Sequence, residues 1–122
     1  MPYSVSFAEE GFVLVVVSSP CTRDDHYSAM NQAVTLTERH VCSSLLVDLR
    51  ELSTEAFSTT GCFTFGKKLA ETTTHLKIAH VLPSDAKSSQ DVRFTSTVEA
   101  NRGKTTGEFS TVEEARQWLL YK

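Results

Sequence analysis

The stretch Leu45-Leu46-Val47-Asp48-Leu49 is a short apolar run that carries one carboxylate near its end. Its length and its bulky aliphatic residues are typical of a strand that is buried on both faces of a sheet. A polar loop is predicted after it, from Arg50 to Ser58, and an amphipathic pattern follows the loop. We therefore interpret Ser44 to Leu49 as the central strand of an α/β sheet.

The chain begins with a predicted β-hairpin. From Tyr3 to Phe7, large apolar residues alternate with serine, which is the period of a half-buried edge strand. The turn signal Glu9-Glu10-Gly11 separates this segment from the apolar run Phe12 to Val17, which reads as a strand covered on both faces. The two strands are expected to pair antiparallel.

A first helix is predicted between the hairpin and the central strand, from about Asp25 to Glu38, with Asp24 or Asp25 as its N-cap. Its inward positions recur with the period of a helix. These positions are Met30, Ala33, Val34, Thr37 and Val41.

The second half of the chain alternates helices with strands. The predicted elements are a helix from about Thr59 to Thr73, a strand Lys77 to Leu82, a helix Asp91 to Asn101 closed by Gly103, a strand Thr105 to Phe109, and a final helix opened by the capping box Ser110 to Glu113. The polar stretch Ala86 to Gln90 is expected to precede the third helix as a mobile connection. In the last helix Val112, Ala115 and Leu119 should face inward.

This order, ββαβαβαβα, predicts one small α/β domain with a mixed, mostly parallel five-stranded sheet and about four helices. Strands that alternate with helices pair in parallel through right-handed crossovers. Ligands and partners of such sheets gather outside the carboxyl ends of the strands. A chain of 122 residues has room for one domain, spanning residues 1–122.

Composition narrows the classes of partner and compartment. The net charge is −3 and no basic stripe is visible, which argues against nucleic acid. The longest aliphatic and aromatic run, Phe12 to Val17, is far shorter than the ~20 residues that span a bilayer. The N-terminus lacks the pattern of a signal peptide. Three widely spaced cysteines, Cys21, Cys42 and Cys62, fit free thiols, so we expect a cytoplasmic protein.

Several short motifs, in this order and spacing, resemble the STAS domains and in particular their SpoIIAA-like branch. The central strand Leu46 to Leu49 is similar to the family's strand ending in an aspartate and an aliphatic residue. The strand Lys77 to Val81 (KIAHV) and the ending Val112 to Leu119 (VEEARQWL) resemble the matching family segments. The resemblance covers nearly the whole chain.

The resemblance implies a regulatory region at the start of the second helix. In anti-anti-sigma members of the family this helix opens with Asp-Ser-Ser-Gly or Asp-Ser-Thr-Gly, and a serine there is phosphorylated by a partner kinase. The matching stretch here is Ser58-Thr59-Thr60-Gly61, in which Ser58 replaces the aspartate. The alternative role of these hydroxyls is N-capping, which we favour because Ser and Thr are usual N-cap residues.

Other candidate side chains are interpreted structurally. Asp48 is expected to accept hydrogen bonds from loop amides rather than to act as a base or a cation ligand. Phe57 precedes the second helix and is a candidate contact residue. The four histidines, His26, His40, His75 and His80, form no metal-binding motif, so neither a metal nor a cofactor is predicted.

These observations lead to two functional hypotheses. The first, which rests on the family resemblance, is a non-enzymatic regulatory or protein-interaction module with a contact site around Asp48, Phe57 and Ser58 to Gly61. The second is a carrier or sensor of a small apolar ligand, held between the first two helices and the sheet. Some SpoIIAA-like proteins resemble the lipid-binding CRAL-TRIO fold, which suggests this alternative. A homodimer is also considered, since symmetric dimers are the commonest oligomers.

Overall fold

A computed structural model describes residues 3–18, 22–52, 71, 76–101 and 105–120 of the chain. Within these ranges the elements, in chain order, are β1 (Tyr3–Ala8), β2 (Phe12–Ser18), α1 (Arg23–Arg39), β3 (Ser44–Glu51), β4 (Lys77–Val81), α2 (Ala86–Asn101), β5 (Thr105–Phe109) and α3 (Val112–Leu120). Glu71 is also helical. The rest of the predicted second helix, from Thr59 to Thr73, lies outside the described residues.

The sheet has five strands in the order β1-β2-β3-β4-β5. β1 pairs antiparallel with β2, and every later pair is parallel. The prediction of a mixed, mostly parallel α/β sheet is therefore confirmed. Because consecutive strands are neighbours, β3 lies in the centre with two strands on each side. The carboxyl ends of β2 to β5 share one edge of the sheet.

One face of the sheet, here called the α1 face, is covered by α1. Every second residue of a strand points to the same face. In register these positions are Val13, Leu45 and Ile78, with Val15 and Val47 one step along the strands. They are buried together with Ala29, Met30 and Ala33 of α1. This continuous apolar layer explains why β2 and β3 read as strands without polar alternation.

The opposite face, here called the α3 face, carries the other residues of the same strands. Leu46 of β3, Ala79 and Val81 of β4 pack against Ala115 and Leu119 of α3. Trp118 packs against the edge of this cluster, where its ring lies 5.3 Å from that of Phe109. The predicted inward positions Ala115 and Leu119 are thus buried, and Val112 packs beside them half-buried.

The predicted hairpin is present, with a turn that glycine permits. The amide of Gly11 donates to the carbonyl of Ala8 at 2.9 Å, and Gly11 has φ of 114°. That backbone conformation is strained for any residue with a Cβ. β1 and β2 therefore pair from Tyr3 opposite Val17 to Ala8 opposite Phe12.

The start and the end of α1 differ from the prediction. The N-cap is Thr22, not Asp24 or Asp25, and Asp25 is the N3 residue of a capping box with Thr22. The helix ends at Arg39, so Val41 lies beyond it and is 94% exposed rather than inward. The predicted apolar stripe was one turn too long, because the spacing of apolar residues does not show where the helix ends and so included Val41.

The third predicted helix, α2, begins earlier than expected. Ala86 to Gln90 forms its first turn rather than a connection. Asp85 accepts hydrogen bonds from the amide and the hydroxyl of Ser88 at the start of the helix. The buried positions of α2 include Ser88, Thr95 and Ser96, so the core side of this helix is largely polar in sequence. The sequence therefore predicted only the later part of the helix, Asp91 to Asn101, which contains the buried Val92 and Val98.

Two smaller corrections concern the ends of other elements. β3 continues through Arg50 to Glu51, where a loop was predicted from Arg50. The last helix is capped one residue later than predicted, because the hydroxyl of Thr111 accepts from the amide of Glu114 at 3.1 Å. The predicted cap Gly103 lies outside the described residues.

Candidate contact site at the carboxyl end of β3

Asp48 is held in an aliphatic setting near the carboxyl end of the central strand. In register it lies between Val16 of β2 and Val81 of β4, on the α3 face. The residue is 7% exposed. A carboxylate in such surroundings loses much of its hydration, which is costly unless charged or polar partners replace the water.

Arg50 supplies that partner from two residues further along the strand. Its Nε donates to Oδ1 of Asp48 at 3.0 Å, and its Nη2 donates to Oδ2 at 2.9 Å. The backbone amide of Arg50 also donates to Oδ1 at 3.2 Å. β3 has one extra residue between the pairs Val16–Asp48 and Ser18–Glu51, as at a β-bulge, and the side chains of Asp48 and Arg50 lie side by side there. The result is a bidentate fork, the strongest geometry of an arginine–carboxylate pair.

The guanidinium of Arg50 is fixed on one edge and open on the other. The side chain of Arg50 is 55% exposed, whereas that of Asp48 is 9% exposed. The hydrogen bonds to Asp48 raise the pKa of Arg50 further above its ordinary value. Among the described residues, Asp48 is the acceptor that this guanidinium contacts. The remaining N–H groups can donate to a carboxylate, a phosphate or a carbonyl of another molecule.

Both helices that begin at the same edge of the sheet, α1 and α2, have a carboxylate engaged in capping. Hydrogen bonds from Thr22 lower the pKa of Asp25 at the start of α1. Hydrogen bonds from Ser88 likewise lower the pKa of Asp85 at the start of α2. These two carboxylates are therefore engaged in capping their helices.

The predicted site is represented in the described chain by Asp48 alone. Phe57, Ser58, Thr59, Thr60 and Gly61 all lie outside the described residues. The expectation for Asp48 is met in part: it does accept from a backbone amide, that of Arg50. The guanidinium of Arg50 was not predicted as a partner. The sequence offered only the close spacing of two opposite charges, Asp48 and Arg50.

The histidines and cysteines of the described chain are separate from this site. No group of three or more His, Cys, Asp or Glu that could hold a metal ion occurs in the part of the chain that the structure describes. His26, in the first turn of α1, is buried, and burial lowers its pKa to about 4. His80 is buried on β4. The thiol of Cys42 donates to the carbonyl of Gly11 at 3.2 Å.

Comparisons with known proteins leave the family open. The chain matches no protein-family model, no curated protein and no solved structure. The similarity to STAS domains therefore rests on the short motifs of the sequence. Within the described ranges, no helix has both the length and the apolar character needed to cross a membrane.

Proposed function

We propose that this chain is a cytoplasmic regulatory or protein-interaction module of the SpoIIAA-like type, without catalytic activity of its own. Its contact site is the carboxyl end of β3, where Arg50 is presented to a protein partner. The observation that carries the proposal is the fork between Asp48 and Arg50. A buried carboxylate there holds an exposed guanidinium at the edge of the sheet where partners of α/β domains bind.

A contact residue that is already ordered loses less conformational entropy when a partner binds. A free arginine side chain loses about 2 kcal/mol of rotamer entropy when a partner immobilises it. Here the two hydrogen bonds to Asp48 hold the side chain in one orientation before any partner arrives. Arginine is also among the residues enriched at the energetic centres of protein interfaces. The pair is therefore suited to bind a partner carboxylate with little further loss of freedom.

The alternative, a carrier of a small apolar ligand, requires space between the sheet and the first two helices. The described half of that interface is filled by side chains. Ala29 and Ala33 of α1, at 1% and 0% exposure, pack directly on β2 and β3. This packing favours the interaction module over the carrier.

The test uses variants that remove the cation without leaving a buried charge. Arg50→Gln alone strips Asp48 of its partner, so the double variant Asp48→Asn with Arg50→Gln is included to keep an uncharged polar pair. Arg93→Gln is the matched control, because Arg93 is exposed on α2. Each protein is tagged and isolated from its native cell, and bound proteins are quantified by mass spectrometry.

We expect a partner that co-purifies with the wild type and with Arg93→Gln, and that is lost with the double variant. Direct binding of the purified partner, measured by calorimetry, should fall at least about tenfold, a typical cost of removing a charged interface residue. Native mass spectrometry of the same preparations tests the alternative. A retained lipid-sized mass, together with partner capture that is unchanged when Arg50 is replaced, would favour the carrier and contradict the proposal.

A further inference from the structure

The two edges of the sheet differ in how they are protected from pairing with another strand. Edge strands of soluble proteins usually carry charges, proline or bulges, because their unpaired N–H and C=O groups invite another chain. β5, at one edge, contains Gly107 and Glu108. β1, at the other edge, is six residues long and contains no charged residue and no proline from Tyr3 to Ala8.

Every side chain of β1 is at least partly exposed. No residue of β1 is buried, and Ser4 and Ser6 are exposed. Antiparallel pairing with β2 engages the backbone of alternate residues of β1, so the intervening N–H and C=O groups point away from the sheet. In the described part of the chain, no strand pairs with that outer side.

We propose that β1 pairs antiparallel with β1 of a second copy of this chain, which joins the two sheets into one. A strand meets its own copy across a two-fold axis in an antiparallel arrangement, so a single uncharged strand satisfies both halves of the contact. This contact is independent of the proposed function, because it involves the edge strand β1 and not Arg50 on β3.

The side chains of β1 single out the register centred on Val5. In that register Val5 faces its own copy, and Ser4 faces Ser6 of the second copy. On the α1 face Tyr3 comes opposite Phe7 of the second copy, and cross-strand aromatic pairs of this kind are favourable. Both aromatic residues are half-buried against the α1 cluster in the single chain, so the pairing covers apolar surface that is still partly exposed.

The size of the strand sets the expected affinity. Six residues of strand extend over roughly 20 Å. α1 runs alongside β1, with Gln32 donating to the hydroxyl of Tyr3 at 3.1 Å, and adds contact area next to the strands. A contact of this length belongs with the small, weak interfaces rather than with standard complexes, so we expect a dissociation constant in the micromolar range or weaker.

The experiment tests the register by charge. In the variant Ser4→Lys with Ser6→Lys, each new lysine faces a lysine of the second copy. In the variant Ser4→Lys with Ser6→Glu, each lysine faces a glutamate. Both substitutions lie at exposed positions, so the two variants perturb the single chain to a similar extent. Thr105→Lys, at an exposed position of β5, is the control at the other edge.

Sedimentation velocity at micromolar to millimolar concentrations provides the readout. The wild type and Thr105→Lys should approach twice the 13.5 kDa mass of the chain as concentration rises. The double-lysine variant should dissociate about tenfold more readily, because like charges directly opposite are unfavourable, while the lysine–glutamate variant should associate at least as well as the wild type. Circular dichroism confirms that each variant is folded. A wild type that stays monomeric, or a dimer equally tolerant of both double variants, would overturn the proposal.

Discussion

At the scale of single residues, Val41 has an unusual backbone. It has φ of 51°, in the left-handed region that a β-branched residue rarely adopts. The reason is the end of α1, where the amide of Cys42 donates to the carbonyl of Thr37 at 2.8 Å and that of Val41 donates to Glu38 at 3.3 Å. This is the Schellman pattern, whose left-handed position is usually glycine.

Replacing this valine by glycine should stabilise the protein. Val41→Gly removes a steric cost of about 1–2 kcal/mol for the left-handed conformation, offset in part by the greater freedom of glycine in the unfolded chain. We expect the free energy of unfolding to rise by about 1 kcal/mol in denaturant titrations. The control Asn31→Gly, at an exposed position inside α1, should instead lower it by about 0.3 kcal/mol, because glycine is a poorer helix former than asparagine. A loss of stability in Val41→Gly would contradict the assignment of strain.

His26 makes stability depend on pH in the weakly acidic range. Burial lowers its pKa from 6.5 to about 4, and the charge of Asp25 opposes this only in part. Between these two values the unfolded chain binds a proton that the folded chain does not, so folding becomes less favourable as the pH falls from 6.5 towards 4. The effect vanishes above pH 6.5 and totals about 3 kcal/mol when complete.

Urea titrations at several pH values between 7 and 4 should show this loss of stability. The variant His26→Gln lacks the titrating group, so its free energy of unfolding should change much less over the same interval. Carboxylates with lowered pKa values, such as Asp25 and Asp85, act at more acidic pH and provide the background. An identical pH dependence in wild type and variant would show that His26 is not responsible.

At the scale of elements, apolar periodicity predicted the sheet well and the polar helix poorly. The strands were anticipated in their order: β2 and β3 are continuous apolar runs, and β1 alternates apolar residues with serine. α2 was shortened because its core side uses serine and threonine, which form hydrogen bonds inside the protein. Ser96, for example, donates to the hydroxyl of Thr106 at 3.0 Å. Such tertiary pairing is not visible in spacing.

The candidate site was likewise predicted only in part. The aspartate at the end of the central strand was identified, because one carboxylate inside an apolar run stands out in sequence. Its partner Arg50 was assigned to a loop, since a charged pair Arg50-Glu51 resembles the end of a strand. Only the pairing of β3 shows that the strand continues to Glu51, opposite Ser18, and so brings the two charges together.

The N-terminus of α1 offers a prediction at this scale. The hydroxyl of Thr22 accepts a hydrogen bond from the amide of Asp25 at 3.1 Å, and the carboxylate of Asp25 accepts one from the amide of Thr22 at 2.9 Å. Thr22→Ala removes one half of this capping box and should lower the free energy of unfolding by about 1 kcal/mol. Thr35→Ala is the matched control, because Thr35 is exposed inside the helix and alanine is the better helix former. If both variants lost equal stability, capping by Thr22 would not be the cause.

At the scale of the whole molecule, the two faces of the sheet share the same strands. β3 contributes Leu45 and Val47 to the cluster under α1, and Leu46 to the cluster under α3. β3 is thus held by both layers, and loss of either one leaves a side of this strand uncovered. We expect the domain to unfold in one cooperative step, as small domains with a shared core do.

Trp118 allows this cooperativity to be measured. It is the chain's single tryptophan, and it lies on the α3 side, where Lys77 sits 4.3 Å from its ring centre. Its fluorescence reports the α3 face, whereas far-ultraviolet circular dichroism averages over all helices. Denaturant curves from the two probes should superimpose within error. A lower midpoint for fluorescence than for circular dichroism would mean that α3 leaves the sheet first.

The consecutive strand order also bears on how the protein is made. Each strand from β2 to β5 lies next to the strand before it in the chain, so during translation each of them meets a neighbour that has already left the ribosome. The last helix, α3, completes the α3 face. Its Arg116 forms an ion pair with Glu10, which lies 106 residues earlier in the turn between β1 and β2. A nascent chain that ends before α3 would leave Leu46 and Val81 uncovered on that side, a surface that chaperones bind.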